Sequence, residues 1–459
     1  MGILRFFKEE NGEMTILASM GMVVILGFMG LALDVGNVRY AKGKLQSAAD
    51  AAAVAAAVEY PNCTGQTYCA AMQNAALSSL AENGITGASI VTNCSTASTS
   101  GVTLMLNTPP CLLGTSDPNR NKTNVLEVAV TEPQPLYFAR VLGFGSFNIS
   151  ARSEAGKVSN GNCVYALDKT GGNAITVDAL AAVNATCGMV DESSAWNALS
   201  CNVLAVLNAP HLSVVGGDQN FLCAVPKAPT TGIAMPSPAD PLSYLTPPAA
   251  TSCGTSKASP YTGAASQLTI LLGSVTLNPG HYCGGIVVGP LANVTFNPGT
   301  YDLSSTNCGL LGTGLLGDGG LSIDLLSNVQ GNGVTFYNRG PCGSITTLLS
   351  SVSLGAVNLS APTTGQYAGI LFYQDPQNTT PATLLGSLAV NTKLEGADYF
   401  PSALVNYAVS GQARYNMLVA KDIDFVLLTV GTNKQTTAFA NDYTALPGGP
   451  PIGTWGVVE

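Results

Sequence analysis

An uncharged stretch near the N-terminus constrains this chain more than any other feature. Residues 14–33 (MTILASMGMVVILGFMGLAL) hold no charged side chain, and Glu13 and Asp34 mark the two ends. At ~1.5 Å of rise per residue, ~20 helical residues span the ~30 Å hydrocarbon core of a bilayer. Residues 14–33 are therefore predicted to form a transmembrane helix, preceded by a cytoplasmic stub over residues 1–13.

The helix is predicted to continue beyond the bilayer. Residues 34–58 are rich in alanine, and the first proline of the chain is Pro61. A cleaved signal peptide is the alternative, with a shorter apolar region and a small-x-small cleavage site. Ala48-Ala49 resembles such a site but lies deep inside the predicted helix, so an uncleaved anchor is favoured.

Composition indicates an extracytoplasmic β-rich protein for the remainder. Only 10% of residues are charged and the net charge is −9, so binding to nucleic acid is not expected. Glycine, serine, threonine, asparagine and alanine replace charged residues. With 46% hydrophobic residues in short bursts, the chain does not have a disordered profile.

Cysteine usage points to an oxidising compartment. There are 12 cysteines, none in a CxxC pair, and the only two histidines are His211 and His281. Disulfides outside the cytoplasm are favoured over metal sites, with buried free thiols as the alternative. Two local pairings, Cys63–Cys69 and Cys94–Cys111, are favoured. Pairing among the other eight stays open: Cys163, Cys187, Cys201, Cys223, Cys253, Cys283, Cys308 and Cys342.

Residues 59–157 are predicted to form a small α+β module. A helix over about 67–82 ends at Asn83-Gly84, and short strand-like pieces follow it. A long N-terminal helix that carries a small mixed sheet is also the architecture of pilins and pseudopilins. The expected module is therefore pseudopilin-like.

Residues 158–459 contain internal repeats. VTLNPGHY begins at residue 275, VTFNPGTY at 294 and VTFYNRGP at 334, about two periods further on. Upstream, NAITVDALAAVNA at 173 aligns with NALSCNVLAVLNA at 197. Such repeats favour an all-β, right-handed parallel β-helix that adds one coil per repeat, with a β-sandwich as the alternative. A proline-rich excursion is predicted at about 225–263.

The N-terminal sequence resembles TadG-like proteins of the tight-adherence (Tad/Flp) pilus assembly system. The resemblance covers about 50 residues and depends on a glycine before the span, the DVG exit and the LQ-AADAA run that follows. The matching residues are Gly12, Asp34, Val35, Gly36, Leu45, Gln46, Ala48, Ala49, Asp50, Ala51 and Ala52. NPGHYCGGI, NPGTY, GVTFY and LEGADYFPS resemble the β-helical extensions of some members.

This resemblance implies a single-pass inner-membrane protein with a cytoplasmic N-terminus and a periplasmic bulk. Its partners would be the lipid bilayer and other pilus-assembly membrane proteins. Two departures matter. In LDKTGG, Gly172 replaces the second hydroxyl that a metal site at Asp168 would need, and Leu17 replaces the Glu that prepilin processing requires after Gly12. Neither a metal site nor peptidase cleavage is therefore expected.

Catalysis is not expected, because the acidic residues are scattered. Asp318 and Asp324 lack the spacing of a calcium-binding repeat, and Asp422 and Asp424 are interpreted as a solvated pair. His211 has no nearby partner in sequence and His281 follows a turn. The remaining acids are Asp302, Asp375, Glu395 and Asp398. No cofactor is predicted.

Two binding surfaces stay open at this point. Tyrosines spaced along the repeats either form a face that stacks on glycans or belong to the core: Tyr282, Tyr301, Tyr337, Tyr367, Tyr373, Tyr399, Tyr407 and Tyr415. The alanine-rich helix either packs laterally against other assembly helices or lies on its own module. The predicted function is a non-enzymatic, membrane-anchored structural component of pilus assembly or related secretion. The alternatives are a surface adhesin or glycan-binding protein, and a polysaccharide lyase or hydrolase.

Overall fold

The chain divides into two compact units in the computed structural model. The first comprises residues 1–158 with 454–459, and the second residues 159–453. The structure describes residues 13–60, 63, 69–91, 94, 101–122, 124–305, 308, 319–324, 326–347, 355–386, 392–411, 413–430 and 433–458. Gly12 and Asp318 lie outside the described residues.

A single long helix, α1, occupies Glu13–Val58. Its N-terminal half exposes large apolar side chains, among them Leu17, Met20, Val23, Ile25 and Phe28. Its C-terminal half consists largely of alanine, the best helix former, and buries those side chains. Among the described residues, one helix is long and apolar enough to cross a membrane, and it is this one. The predicted long apolar helix is confirmed.

The rest of the first unit is one helix and a five-stranded sheet. After α2 (Ala70–Glu82) come β1 (Ser89–Val91), β2 (Thr103–Asn107), β3 (Val125–Pro135) and β4 (Ser146–Val158). The sheet order is β1, β2, β3, β4 and then the strand Thr454–Val457. β1 pairs with β2 in parallel, and the other pairs are antiparallel.

The last strand differs from the sequence interpretation. We predicted one C-terminal domain over 158–459, but Thr454–Val457 pairs with β4 of the first unit. Residues 454–459 accordingly belong to that unit. A four-residue strand after a proline-rich turn carries too short a pattern to indicate its partner.

The second unit is almost entirely parallel β-structure. Its strands are β5 (Asn162–Ala166), β6 (Ile175–Val177), β7 (Ala182–Ala185), β8 (Gly188–Asp191), β9 (Leu199–Cys201), β10 (Val206–Asn208), β11 (Leu212–Val214), β12 (Asp218–Asn220), β13 (Thr230–Thr231), β14 (Tyr261–Ala264), β15 (Leu268–Ile270), β16 (Gly273–Cys283), β17 (Ile286–Val288), β18 (Ala292–Phe296), β19 (Gly299–Ser304), β20 (Gly320–Ile323), β21 (Asn328–Asn332), β22 (Val334–Arg339), β23 (Ser344–Thr347), β24 (Ala356–Ser360), β25 (Ile370–Gln374), β26 (Ala382–Gly386), β27 (Lys393–Val409), β28 (Asn416–Phe425), β29 (Thr429–Val430), β30 (Asn433–Lys434) and β31 (Thr436–Phe439). The predicted mostly-β body with repeated parallel pairing is confirmed.

Two of the sequence repeats coincide with the pairing register. Val275 pairs with Val294, and Ile175 with Leu199, at the offsets of the aligned segments. Asparagine side chains join the second pair of coils, because Asn197 donates to Asn173 and Asn208 to Asn184. The third alignment was wrong. Val334 pairs with Gly299 on the adjacent coil, so this single coil takes up about as many residues as two of the predicted periods.

The coils do not stack in chain order. One parallel ladder runs through β14, β16, β19, β22, β25, β27, β28, β5, β8, β11 and β13. The chain therefore enters this ladder in the middle at β5 and builds outwards to β13. It then crosses to β14 at the opposite end and builds back to β28, beside its own starting strand.

Residues 232–260, which we call the return segment, make that crossing. The segment was predicted as an excursion over the surface, but Leu242 and Leu245 are buried. Its contacts progress along the ladder, with Asp240 against Tyr399 of β27, the Leu245 carbonyl against Tyr373 of β25, the Pro248 carbonyl against Arg339 of β22, and the Thr251 carbonyl against His281 of β16. The prolines suit a segment that runs beside the strands, where ladder hydrogen bonds are not required.

Aromatic rings on equivalent positions of successive coils fill the core. Tyr282, Tyr301, Phe336 and Phe372 lie next to one another with ring centroids 5.3–5.9 Å apart. All eight tyrosines proposed as a glycan-stacking face are buried. Of the two sequence interpretations, the core interpretation is therefore correct.

Candidate functional site at the helix exit

The site is built around Asp34, the first charged residue after the apolar half of α1. Its carboxylate accepts backbone N–H bonds from Tyr137 at 2.9 Å, Phe138 at 2.9 Å and Ala139 at 2.6 Å. These donors begin the 3-10 helix Ala139–Leu142 in the connection between β3 and β4. A helix start presents unpaired N–H groups, and a carboxylate is the side chain that satisfies them best.

Two glycines, Gly30 and Gly143, allow the contact between α1 and the 3-10 helix to form. A Cβ atom at Gly30 would lie 2.7 Å from the Phe138 ring, so a glycine is required there for the ring to lie on the helix. Gly143, with φ +94°, adopts the left-handed conformation and ends the 3-10 helix. By contrast, Val35 and Gly36 of the motif are exposed. Asp34 is thus the DVG residue that joins the helix to its module.

The second half of the motif holds α1 on the sheet. Leu45, Ala48, Ala49 and Ala52 are fully buried in a core shared with α2 and the sheet. Gln46 donates from Nε2 to Asp50 Oδ1 at 2.8 Å and to the carbonyl of Arg152 in β4 at 2.7 Å. For these alanines, the interpretation of a helix lying on its own module is the one that the structure supports. Asp50 and Ala51 are half-buried.

A buried ionic cluster joins β3, β4 and the segment before β3. Arg152 pairs with Asp117 at 2.5 Å and also with Glu127 and Glu154. Glu127 accepts the N–H groups of Cys111 at 2.7 Å and Leu112 at 3.0 Å. Burial raises the pKa of Glu154 to about 7. The three carboxylates lie close enough to bind a cation, but the guanidinium lies among them, and the cluster therefore serves to fasten the segment around Cys111.

All 12 cysteines form disulfides. The two local pairings favoured from sequence, Cys63–Cys69 and Cys94–Cys111, are both present. The eight whose pairing stayed open form Cys163–Cys187, Cys201–Cys223, Cys253–Cys283 and Cys308–Cys342. Each of these four joins residues 22–34 positions apart. Disulfide density of this kind is typical of proteins outside the cytoplasm.

The histidines have structural contacts. Nδ1 of His281 lies 2.7 Å from the Thr251 carbonyl, and Nε2 lies 2.7 Å from Oγ of Ser304. The neighbouring Cys253 and Cys283 are bonded to each other and so cannot act as thiolate ligands. His211 lies 3.5 Å from the Lys227 ammonium. The expected turn before His281 is wrong, because Asn278, Pro279 and Gly280 lie within β16 and His281 pairs with Asp302 of β19. His211 is exposed on the surface, as a structural histidine would be.

The acidic residues weighed for chemistry are also held locally. Asp168 accepts N–H bonds from Thr170 and Gly171 and lies 3.2 Å from Lys421, so it caps a turn. Asp422 and Asp424 are half-buried on one face of β28, as the alternating pattern predicted. The others have separate surroundings: Asp302 binds Arg339, Asp375 accepts from Tyr337, Glu395 binds Arg414 and Lys393, the backbone carbonyl of Asp324 accepts from Ser327, and Asp398 is buried.

One open groove of about 550 Å³ lies on the second unit. Its charged lining residues are Asp168, Lys169, Lys421 and Asp422, and Pro381 and Pro401 add apolar surface. Lys421 pairs with both Asp168 and Asp422, and this lining indicates no particular ligand.

Sequence reasoning missed the partner of Asp34 and the Arg152 cluster. Both join segments that are far apart in the chain, and the Arg152 cluster has no local sequence pattern. One signal was available for the first, because LYFARVLGFGSF (136–147) is unusually apolar for a connection between strands.

Two protein-family models match segments of the first unit. Residues 12–59 match the TadE/G-like family of Flp pilus-assembly proteins, and residues 46–155 match the Tad-like Flp pilus-assembly family. Together these matches cover α1 and most of its module, including Asp34 and the 3-10 helix. Comparison with curated proteins and with solved structures found no match.

Proposed function

We propose that this chain, which carries TadE/G-like and Tad-like Flp pilus-assembly domains and is TadG-like in its N-terminal third, is a membrane-anchored structural component of Flp pilus assembly. The observation that carries the proposal is that the two family matches meet at one contact. The first match includes Asp34 and the second includes the 3-10 helix that Asp34 binds, so the matched residues form one structural unit. In this unit, the contact holds a folded module against the end of an apolar helix.

The proposed topology is a single span over residues 14–33, with residues 1–13 in the cytoplasm and the bulk of the chain in the periplasm. The exposed apolar half of α1 supports the span, since such a surface is stable in a bilayer. The six disulfides support an oxidising compartment for both units. An inner-membrane location follows from the resemblance to TadG-like proteins.

For the second unit we propose the right-handed parallel β-helix predicted from sequence, as a rigid, non-enzymatic extension. The ladder of parallel strands and the buried aromatic column support this fold. The local ion pairs and turn contacts of its acidic residues support a structural role. For the first unit, residues 59–157 are proposed as a pseudopilin-like module, with other pilus-assembly proteins as partners.

The test is removal of the chain from a piliated strain. We expect loss of surface pili by electron microscopy and recovery when the full chain is supplied from a plasmid. Normal piliation without the chain would contradict the proposal. Binding of the purified chain to a glycan array, combined with normal piliation, would favour the adhesin instead.

A further inference from the structure

The connection between β3 and β4 exposes an unusual amount of apolar surface. Within residues 137–147, which we call the interfacial segment, six large apolar side chains are exposed: Tyr137, Phe138, Val141, Leu142, Phe144 and Phe147. Val141 is 88% exposed, and Phe144 is 64% exposed. A contiguous apolar patch of this kind on a folded protein marks a surface that is covered in its working state.

The position of the segment along α1 indicates what covers it. The Phe138 ring lies against Gly30, which precedes Asp34 by one helical turn, or ~6 Å along the axis. Gly30 belongs to the uncharged stretch, and its neighbours Leu31 and Leu33 are exposed. If residues 14–33 lie in hydrocarbon, the Phe138 ring lies at the same depth. The apolar surface of the segment is therefore continuous with that of the span.

The backbone of the segment suits an apolar medium, where every N–H group needs an internal acceptor. Asp34 accepts from residues 137–139. The N–H groups of Val141, Gly143 and Phe144 donate to carbonyls within the segment, at 3.0–3.2 Å. Leu136 donates to Gly145 at 3.2 Å. Asp34 thus supplies the acceptors that a helix start lacks.

Cationic side chains flank the apolar surface. Arg140 is exposed on the 3-10 helix, and Arg39 and Lys42 are exposed on α1 beyond Asp34. Arginine and lysine at this level reach phosphate headgroups while their stems lie along apolar surface.

We infer that residues 137–147 insert into the bilayer leaflet at which the α1 span ends, as a second membrane contact of the first unit. The inference rests on the proposed membrane anchor. Two attachment points on one module restrict its tilt and rotation relative to the membrane, which a single helix does not. The module would then present a fixed face to its assembly partners.

Tryptophan quenching by brominated lipid tests this directly. The full chain carrying Val141→Trp is reconstituted into phosphatidylcholine–phosphatidylglycerol vesicles with brominated acyl chains, and the parent chain supplies the background of Trp196 and Trp455. Leu113→Trp is the control, because it is also exposed and lies next to the Glu127-bound Leu112, away from Asp34. Phe144→Trp is a second variant in case the first does not fold.

We expect the added fluorescence of Val141→Trp and Phe144→Trp to be quenched several-fold more than that of Leu113→Trp. Equal quenching of all three variants in chains that float with the vesicles would overturn the inference. The apolar patch would then be a surface that a protein partner covers. Chains that do not float with vesicles after detergent removal would instead overturn the membrane anchor. The two failures are thus distinguishable.

Discussion

The backbone N–H of Ala139 donates a 2.6 Å hydrogen bond to the carboxylate of Asp34, 105 residues earlier in the chain. Two further N–H groups share the same carboxylate. This contact links the end of the apolar half of α1 to the connection between β3 and β4. It explains why a charged residue stands at this point of the helix.

Removing the Asp34 carboxylate should loosen the 3-10 helix without unfolding the sheet. In Asp34→Ala, three N–H groups lose their acceptor, so we expect faster hydrogen exchange at residues 137–139 and unchanged exchange in β3. Mass spectrometry of the detergent-solubilised chain measures both. Glu82→Gln, at the exposed end of α2, is the control. Unchanged protection at 137–139 would show that Asp34 does not hold this segment.

The buried face of the alanine-rich helix should not tolerate a larger side chain. Ala52 is fully buried, and a leucine there is expected to lower the free energy of unfolding by about 1–3 kcal/mol. The half-buried Ala51 is the matched control, and Ala51→Leu should cost less than about 1 kcal/mol. Thermal unfolding in detergent compares the two. Equal losses would mean that both faces are packed.

Ala51→Leu also tests the lateral-packing interpretation. If the outer face of α1 contacts other assembly helices, this variant should fold but fail to restore piliation. Full restoration would leave the alanines with a role inside their own module only.

Much of the first unit could be predicted because its signals are local. The apolar stretch, the alanine run and the absence of proline before Pro61 define α1, and short spacing favoured Cys63–Cys69.

In the second unit, the repeat offsets of 19 and 24 residues could also be found from sequence, because parallel coils place equivalent residues side by side. These features depend on periodicity or proximity, which a single sequence contains.

The stacking order and the partner of Asp34 could not be predicted, because both depend on contacts between distant segments. Nothing local in β28 indicates that it pairs with β5. The return segment looks like a surface loop because of its prolines, yet Leu242 and Leu245 are buried along the ladder. Likewise, the coil length between Gly299 and Val334 departs from the period, which shifted the third repeat.

Loss of one coil-linking disulfide should destabilise the second unit measurably. Cys201–Cys223 closes a loop across a separation of 22 residues, and cross-links of this size stabilise by about 2–4 kcal/mol. We expect Cys201→Ser with Cys223→Ser to lower the unfolding temperature and the yield of exported chain. Calorimetry and immunoblotting measure these effects. The wild-type chain under reducing conditions is the reference, and identical stability of the oxidised parent and the variant would contradict the prediction.

The buried acids Asp191 and Glu192 should make the second unit less stable as the pH rises. Burial raises the pKa of Glu192 to about 8 and that of Asp191 to about 7. A raised pKa means that the folded state retains a proton that the unfolded state releases. The resulting stabilisation is complete below the unfolded pKa and is lost as the pH rises through 7 to 8.

Replacing Glu192 with glutamine should remove part of this dependence. We compare the free energy of unfolding of Glu192→Gln with that of the parent at each pH. The difference in favour of the variant should be larger at pH 9 than at pH 5 by about 1–2 kcal/mol, after allowance for solvent screening. Calorimetry at the two pH values measures the difference. Asp218→Asn removes a carboxylate from an exposed strand and is the charge-matched control. An unchanged pH profile in Glu192→Gln would mean that Glu192 is ionised in the folded chain.

The compartment of the folded bulk is the central claim, and reporter fusions after Glu459 test it most directly. Alkaline phosphatase becomes active only outside the cytoplasm, and β-galactosidase only inside it. We predict phosphatase activity and negligible galactosidase activity, both measured in the membrane fraction of the host bacterium. Galactosidase activity without phosphatase activity would contradict a membrane-anchored component whose two units lie in the periplasm.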